Sequence, residues 1–157
     1  MKYLFAAFLL LVVCSVQSFA QTIQLLDSGK TNSIRGLSVV NDNIVWVSGA
    51  NGMVGRSIDA GASFKWMKVD GFAKTDFRDI EAFDANTAII MGIDTPAVIL
   101  KTIDGGISWK IVFQDKRPGM FLDAMEFFNE KSGVVIGDPI NGKIFIAVTV
   151  DGGASWR

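Results

Sequence analysis

Carboxylates are the side chains best placed to do chemistry in this sequence, because histidine is absent and the one cysteine is Cys14. Imidazole acid–base catalysis, Cys/His zinc sites and a disulfide framework are thereby excluded, while carboxylate and hydroxyl chemistry stay open. Asp79, Glu81, Asp84, Asp123 and Glu126 fall in two short stretches. A pair of them could serve glycoside hydrolysis if the two carboxyls stood roughly 5 to 10 Å apart. Spacing along a chain does not set that distance, and a solvated charged face accounts for the same residues. A glycine-rich stretch from Gly49 to Ser57, GANGMVGRS, superficially suggests a phosphate loop. It has five residues between its outer glycines where that loop has four, and Arg56 replaces the lysine. A strand pattern follows it instead of a helix, so it reads as a hairpin turn.

Three further aspartates, Asp59, Asp104 and Asp151, recur 45 and 47 residues apart inside one motif. The segments are SIDAGASF (57–64), TIDGGISW (102–109) and TVDGGASW (149–156). Their constrained positions are Ser57, Asp59, Gly61, Ser63 and Phe64, then Thr102, Asp104, Gly106, Ser108 and Trp109, then Thr149, Asp151, Gly153, Ser155 and Trp156. These residue types suit a turn. A carboxylate can accept from nearby main-chain N–H groups, a glycine can take positive φ, and a hydroxyl can bond to adjacent backbone. The aromatic ring then buries beside the turn, worth about 2 to 3 kcal/mol. A calcium site fails on ligand count, since Asp-x-Gly-x-Ser offers too few oxygens and no closing bidentate Glu. No metal, cofactor or catalytic residue is therefore expected.

Elements that would position such a motif follow from the rest of the period. Ser33–Val40 aligns with Asp76–Phe83 and with Met120–Phe127, which matches Arg35 to Arg78 and to Leu122. The β-rich runs Ile44–Val47, Thr87–Ile90 and Gly133–Ile136 are each followed within two residues by Gly49, Gly92 or Gly137. Met53–Val54, Val98–Leu100 and Ile144–Ile146 then run into the motif, and Phe64–Val69 and Trp109–Phe113 leave it. Asn51-Gly52 and Asn141-Gly142 supply the positive φ of tight hairpins. Four short strands per period of roughly 40 to 50 residues predict an all-β fold, a β-propeller of four-stranded antiparallel blades. The expected repeats are 33–74, 76–118 and 120–157, about three blades and hence part of a larger ring, because propellers close with about four to eight. Residues 22–26 resemble an outermost strand without a blade of its own and are expected to close that ring.

Half of the residues are hydrophobic, with 16 Gly against 3 Pro, as in a globular protein. Fifteen Lys and Arg against sixteen Asp and Glu leave a net charge of −1 and no basic run, which argues against nucleic acid as a partner. Residues 1–20 carry one charge at Lys2, an apolar run from Tyr3 to Val13, and Ser18-Phe19-Ala20 at the end. That is the layout of a secretory signal peptide cleaved after Ala20. The apolar run is too short to cross a bilayer, so a secreted or periplasmic chain with no membrane span after cleavage is expected.

The three motifs resemble the bacterial neuraminidase or Asp-box repeat, Ser-x-Asp-x-Gly-x-Thr-Trp, found in sialidases, sortilin-like receptors and photosystem II assembly and stability factors. Residues 104–109 and 151–156 are most similar to the last of these, the YCF48-like family. The resemblance implies boxes on the outer rim and a non-catalytic scaffold that holds a protein or glycan ligand, with Arg35 and Arg78 as a candidate binding surface. Two structural ion pairs, with Asp79 and Glu81 as partners, are the alternative role for these arginines. Sialidases work through an arginine triad and a Tyr nucleophile; Tyr3 lies in the leader, so the resemblance to them implies at most the N-terminal part of such an enzyme.

Overall fold

The structure, a computed structural model, describes Ile23, residues 31–93 and residues 95–157. The expected leader at 1–20 and, Ile23 apart, the expected strand at 22–26 lie outside these residues. The strands form where β-branched and aromatic residues cluster between turn residues, and they pair as sequential antiparallel meanders. The first sheet contains β1 (Ile34–Val39), β2 (Val45–Gly49), β3 (Met53–Ser57) and β4 (Lys65–Lys68). The second contains β5 (Phe77–Ala82), β6 (Ala88–Gly92), β7 (Ala97–Thr102) and β8 (Lys110–Asp115). The third contains β9 (Leu122–Phe127), β10 (Gly133–Ile140) and β11 (Lys143–Thr149), and Arg157 continues it by exchanging main-chain hydrogen bonds with Val148. Each sheet is a blade. Among the described residues no helix is long and apolar enough to cross a membrane.

Blades stack face to face, with β1 against β5 and β5 against β9, so the first strand of each blade is innermost. The middle blade is covered on both sides, which explains its unbroken apolar runs, because alternate residues serve different cores. Phe77, Ala88, Ile90, Val98 and Leu100 join Trp46 and Val54 of the first blade. Ile89, Met91, Ala97 and Ile99 join Leu122, Met125 and Val135 against the third. Ile89, Ile90, Met91, Ile99 and Leu100 are all fully buried, each contributing about 1.5 to 3 kcal/mol. End blades keep one face open: Leu37 and Val39 of the first are 64% and 62% exposed, and Ile144 of the third is 76% exposed.

An innermost strand has no strand partner on its axial side, yet its N–H groups need acceptors. The preceding blade supplies them. Ala82 N donates to Ser38 Oγ at 3.0 Å, and Met125 N donates to Asp79 Oδ2 at 2.9 Å. Ser48 Oγ donates in turn to the Phe77 carbonyl at 3.1 Å. Close approach here requires a residue without a side chain: a methyl on Gly36 would lie 3.0 Å from the Asp79 main chain. In the hairpins after β2 and β10, Asn51 and Asn141 adopt φ of 61° and 53°, so Gly49–Ser57 forms a strand-turn-strand unit, not an anion loop.

Candidate functional site

The three motifs fold into superimposable hydrogen-bond networks. In the second, Thr102 Oγ1 donates to Asp104 Oδ1 at 2.8 Å and accepts from Gly106 N at 3.0 Å. Asp104 Oδ1 also accepts from Ser108 N at 2.9 Å, and Oδ2 accepts from Ser108 Oγ at 2.5 Å. Ser57, Asp59, Gly61 and Ser63 repeat this arrangement, as do Thr149, Asp151, Gly153 and Ser155. Bonds from the serine hydroxyl and N–H hold the Asp104 carboxyl down to about 2, and Asp59 and Asp151 shift in the same direction for the same reason. Both carboxylate oxygens of each aspartate are engaged inside its own turn. Trp109 meets Trp46 of the first blade edge-on at 6.5 Å, whereas Trp156 meets Phe127 of its own blade edge-on at 5.9 Å and packs against the core that the third blade shares with the second.

The innermost strands share a second feature, a register shift near their start. Ile34, Phe77 and Leu122 pair with Gly49, Gly92 and Gly137, and pairing resumes at Gly36, Asp79 and Ala124. The skipped residues are Arg35, Arg78 and Asp123. Leu122 therefore does not match the arginines; it matches Phe77 and is fully buried, while Asp123 takes the bulged position. Bulges re-aim a side chain away from the regular pleat. Arg35 reaches Asp76 Oδ2 at 2.9 Å, and the Arg78 guanidinium lies 5.5 Å from the Phe121 ring centroid. The ion-pair partner of Arg35 is thus Asp76, ahead of β5, instead of Asp79 or Glu81 on the strand. With Asp123 at the third equivalent place, the described first strands assemble no arginine triad.

Of the five carboxylates, Asp84 is committed to its turn, accepting from Asn86 N at 2.5 Å and Thr87 N at 2.7 Å. Burial chiefly raises Asp79, against the bonds it accepts from Met125 and Ile80. Glu81 is pushed up to about 7 by burial, then by the charges of Glu126 and Asp79. Glu81 and Glu126 occupy equivalent places on adjacent innermost strands, opposite Ile89 and Val134. No group of three His, Cys, Asp or Glu among the described residues could hold a metal ion.

Residue-by-residue reading misses the cations that join blades. Arg56 Nη1 donates to the Ala85 carbonyl, and Lys101 Nζ donates to the Gly152 carbonyl at 2.7 Å. Both directly precede the Ser/Thr of a box. That recurrence is the signal that could have found them.

No protein-family model matches the sequence, and no curated protein matches it. Solved structures do match. "YCF48 bound to D1 peptide" superposes with a TM-score of 0.64 at 23% identity, covering 81% of this chain and 40% of that one. YCF48 from Cyanidioschyzon merolae gives a TM-score of 0.62 at 18% identity, covering 84% and 41%. The fold is that of the YCF48 β-propellers. At these identities the likeness concerns the fold, and this chain spans about two fifths of the length of the YCF48 structures.

Proposed function

We propose that the protein is an exported, non-catalytic β-propeller that holds a protein partner, in the manner of a photosystem II assembly factor. The observation that carries this reading is the shared fold with a YCF48 propeller solved with a peptide bound. Arg35 and Arg78, set at bulges on neighbouring innermost strands, form the binding surface in this reading, and Asp123 gives that surface mixed charge. Box aspartates serve their turns, which agrees with oxygens already engaged by Ser and Thr donors. Export rests on the leader pattern of residues 1–20.

Fluorescence anisotropy with a labelled D1 peptide, beside turnover of a fluorogenic sialoside, tests the proposal. Saturable peptide binding that weakens about tenfold or more in Arg78→Ala, with no sialoside turnover, is expected. Turnover of the sialoside, or peptide binding indifferent to both arginines, would overturn it.

A further inference from the structure

At the outer end of the junction between the second and third blades lies a cleft of about 270 Å³, lined by Lys101, Ile103, Lys110, Val112 and Ala154. Lys101 and Lys110 are direct cross-strand partners on β7 and β8, so both side chains leave the same face of the sheet. Like charges placed opposite one another repel. No carboxylate among the described residues forms an ion pair with either. Lys101 is held by the Gly152 carbonyl, whereas Lys110 is exposed. The rest of the lining is apolar: Val112 packs at the edge of the core, and Ile103 is 74% exposed.

The charge pair recurs at the first junction. Arg56 and Lys65 are cross-strand partners at the same places on β3 and β4, again with no carboxylate paired to either among the described residues. The boxes at the two junctions differ at two positions, Ile103 against Val150 and Ile107 against Ala154, and of the third box's pair only Ala154 lines the cleft. Ile107 stands at the first junction where the second has Ala154, three residues after the box aspartate in each case.

We propose that the cleft between the second and third blades binds an acidic peptide. A Glu or Asp side chain of the partner lies between the two ammonium groups, and an adjoining aliphatic side chain rests on Ile103 and Val112. Two cations without a countercharge call for an anion, and apolar walls call for a ligand that is more than a bare anion. An extended backbone fits because β8 is the outermost strand of its sheet and presents an unpaired edge beside the cleft. This site is separate from the axial surface of Arg35 and Arg78, so either can fail without the other.

Anisotropy titrations of the full chain with fluorescein-labelled Gly-Glu-Leu-Glu-Gly and Gly-Gln-Leu-Gln-Gly test the site. Binding of the first, with the second weaker by about tenfold or more, is expected. Lys110→Glu should abolish binding by reversing an exposed charge, and Ala154→Ile should do so by placing in this cleft the side chain of the first junction. Both should keep the parent melting temperature to within about 2 °C, because neither residue is buried. Equal binding of the two peptides, no binding of either, or binding that survives both substitutions would overturn the proposal. Binding lost in Arg78→Ala but kept in Lys110→Glu would also overturn it, moving the acidic peptide to the axial surface and leaving the proposed function intact.

Discussion

Lys101, in the second blade, donates from Nζ to the main-chain oxygen of Gly152, 2.7 Å away in the box of the third blade. Gly152 takes φ of 69°, and a methyl there would sit 2.9 Å from the Glu130 carbonyl oxygen. At the preceding junction a methyl on Gly105, φ 75°, would overlap the Arg56 guanidinium. Ala60 holds the corresponding place in the first box, with φ of 59°. Gly152→Ala is therefore expected to cost about 1 to 3 kcal/mol, from left-handed strain plus displacement of the neighbouring turn. Gly105→Ala should cost less, because the Arg56 guanidinium is the end of a flexible side chain and can swing aside, whereas the Glu130 carbonyl is main chain. Urea unfolding followed by tryptophan fluorescence measures both, and a loss below about 0.5 kcal/mol at Gly152 would show that the junction relaxes freely.

The boxes make the fold acid-sensitive. Asp104 is held near 2, below its ordinary 3.8, by hydrogen bonds to its ionised form, and Asp59 and Asp151 move the same way. A depressed carboxylate contributes stability that is fully present above the unfolded value and is lost as pH falls through the folded one. Melting temperature should hold above pH 4 or so and decline toward pH 2. Asp104→Asn should start lower and fall less steeply across that window. Parallel curves for the two proteins would separate the acid response from the boxes.

Glu81 has the opposite sign. Its folded value, about 7, lies above the ordinary 4.5, so the folded state binds the extra proton between those values. Stability from this group is greatest below pH 4.5, declines as pH rises to about 7, and levels off above. Glu81→Gln should raise the melting temperature at pH 8 and flatten the profile between pH 5 and 7. An unchanged profile would mean that water reaches the Glu81 carboxyl well enough to cancel the effect of burial and of the Glu126 and Asp79 charges.

Ile80 and Leu37 hold equivalent places on innermost strands, opposite Ile90 and Val47. Ile80 is fully buried between blades, while Leu37 is 64% exposed on an end face. Ile80→Ala should cost about 2 to 5 kcal/mol through lost transfer energy and a cavity. Leu37→Ala should stay within about 0.5 kcal/mol. Denaturant midpoints of the pair measure the difference, and a large loss at Leu37 would reveal a cover on that face.

Much of the fold was legible because the box spends five residue types on one turn, and that turn returns once per blade. Tight Asn-Gly hairpins were legible for the same local reason. The error at Leu122 has an equally physical cause. Phe121 and Leu122 are both apolar, so sliding the third repeat by one residue keeps its hydrophobicity, and only the bulge reveals that Asp123 is the skipped residue. Arg35 and Arg78 were matched correctly to each other because a charge stands out in an apolar strand. The cross-blade bonds of Arg56 and Lys101 and the proton held by Glu81 went unread because each depends on a neighbour in another blade, which no spacing within a repeat records.

Across both junctions, side chains of the earlier blade repeatedly bond to the main chain of the later one. Trp46 donates to the Asp84 carbonyl, Ser48 to Phe77, Arg56 to Ala85 and Lys101 to Gly152, while Ser38 and Asp79 accept from the N–H groups of Ala82 and Met125. Asn51 N to Asp76 Oδ1, at 3.4 Å, runs the other way. Hydrogen bonds to peptide groups make few demands on the side chains that those residues carry, the glycines of the boxes apart. Duplicated modules can then diverge in composition and still seat on the module before them, so variety accumulates along the array without the joints being reinvented.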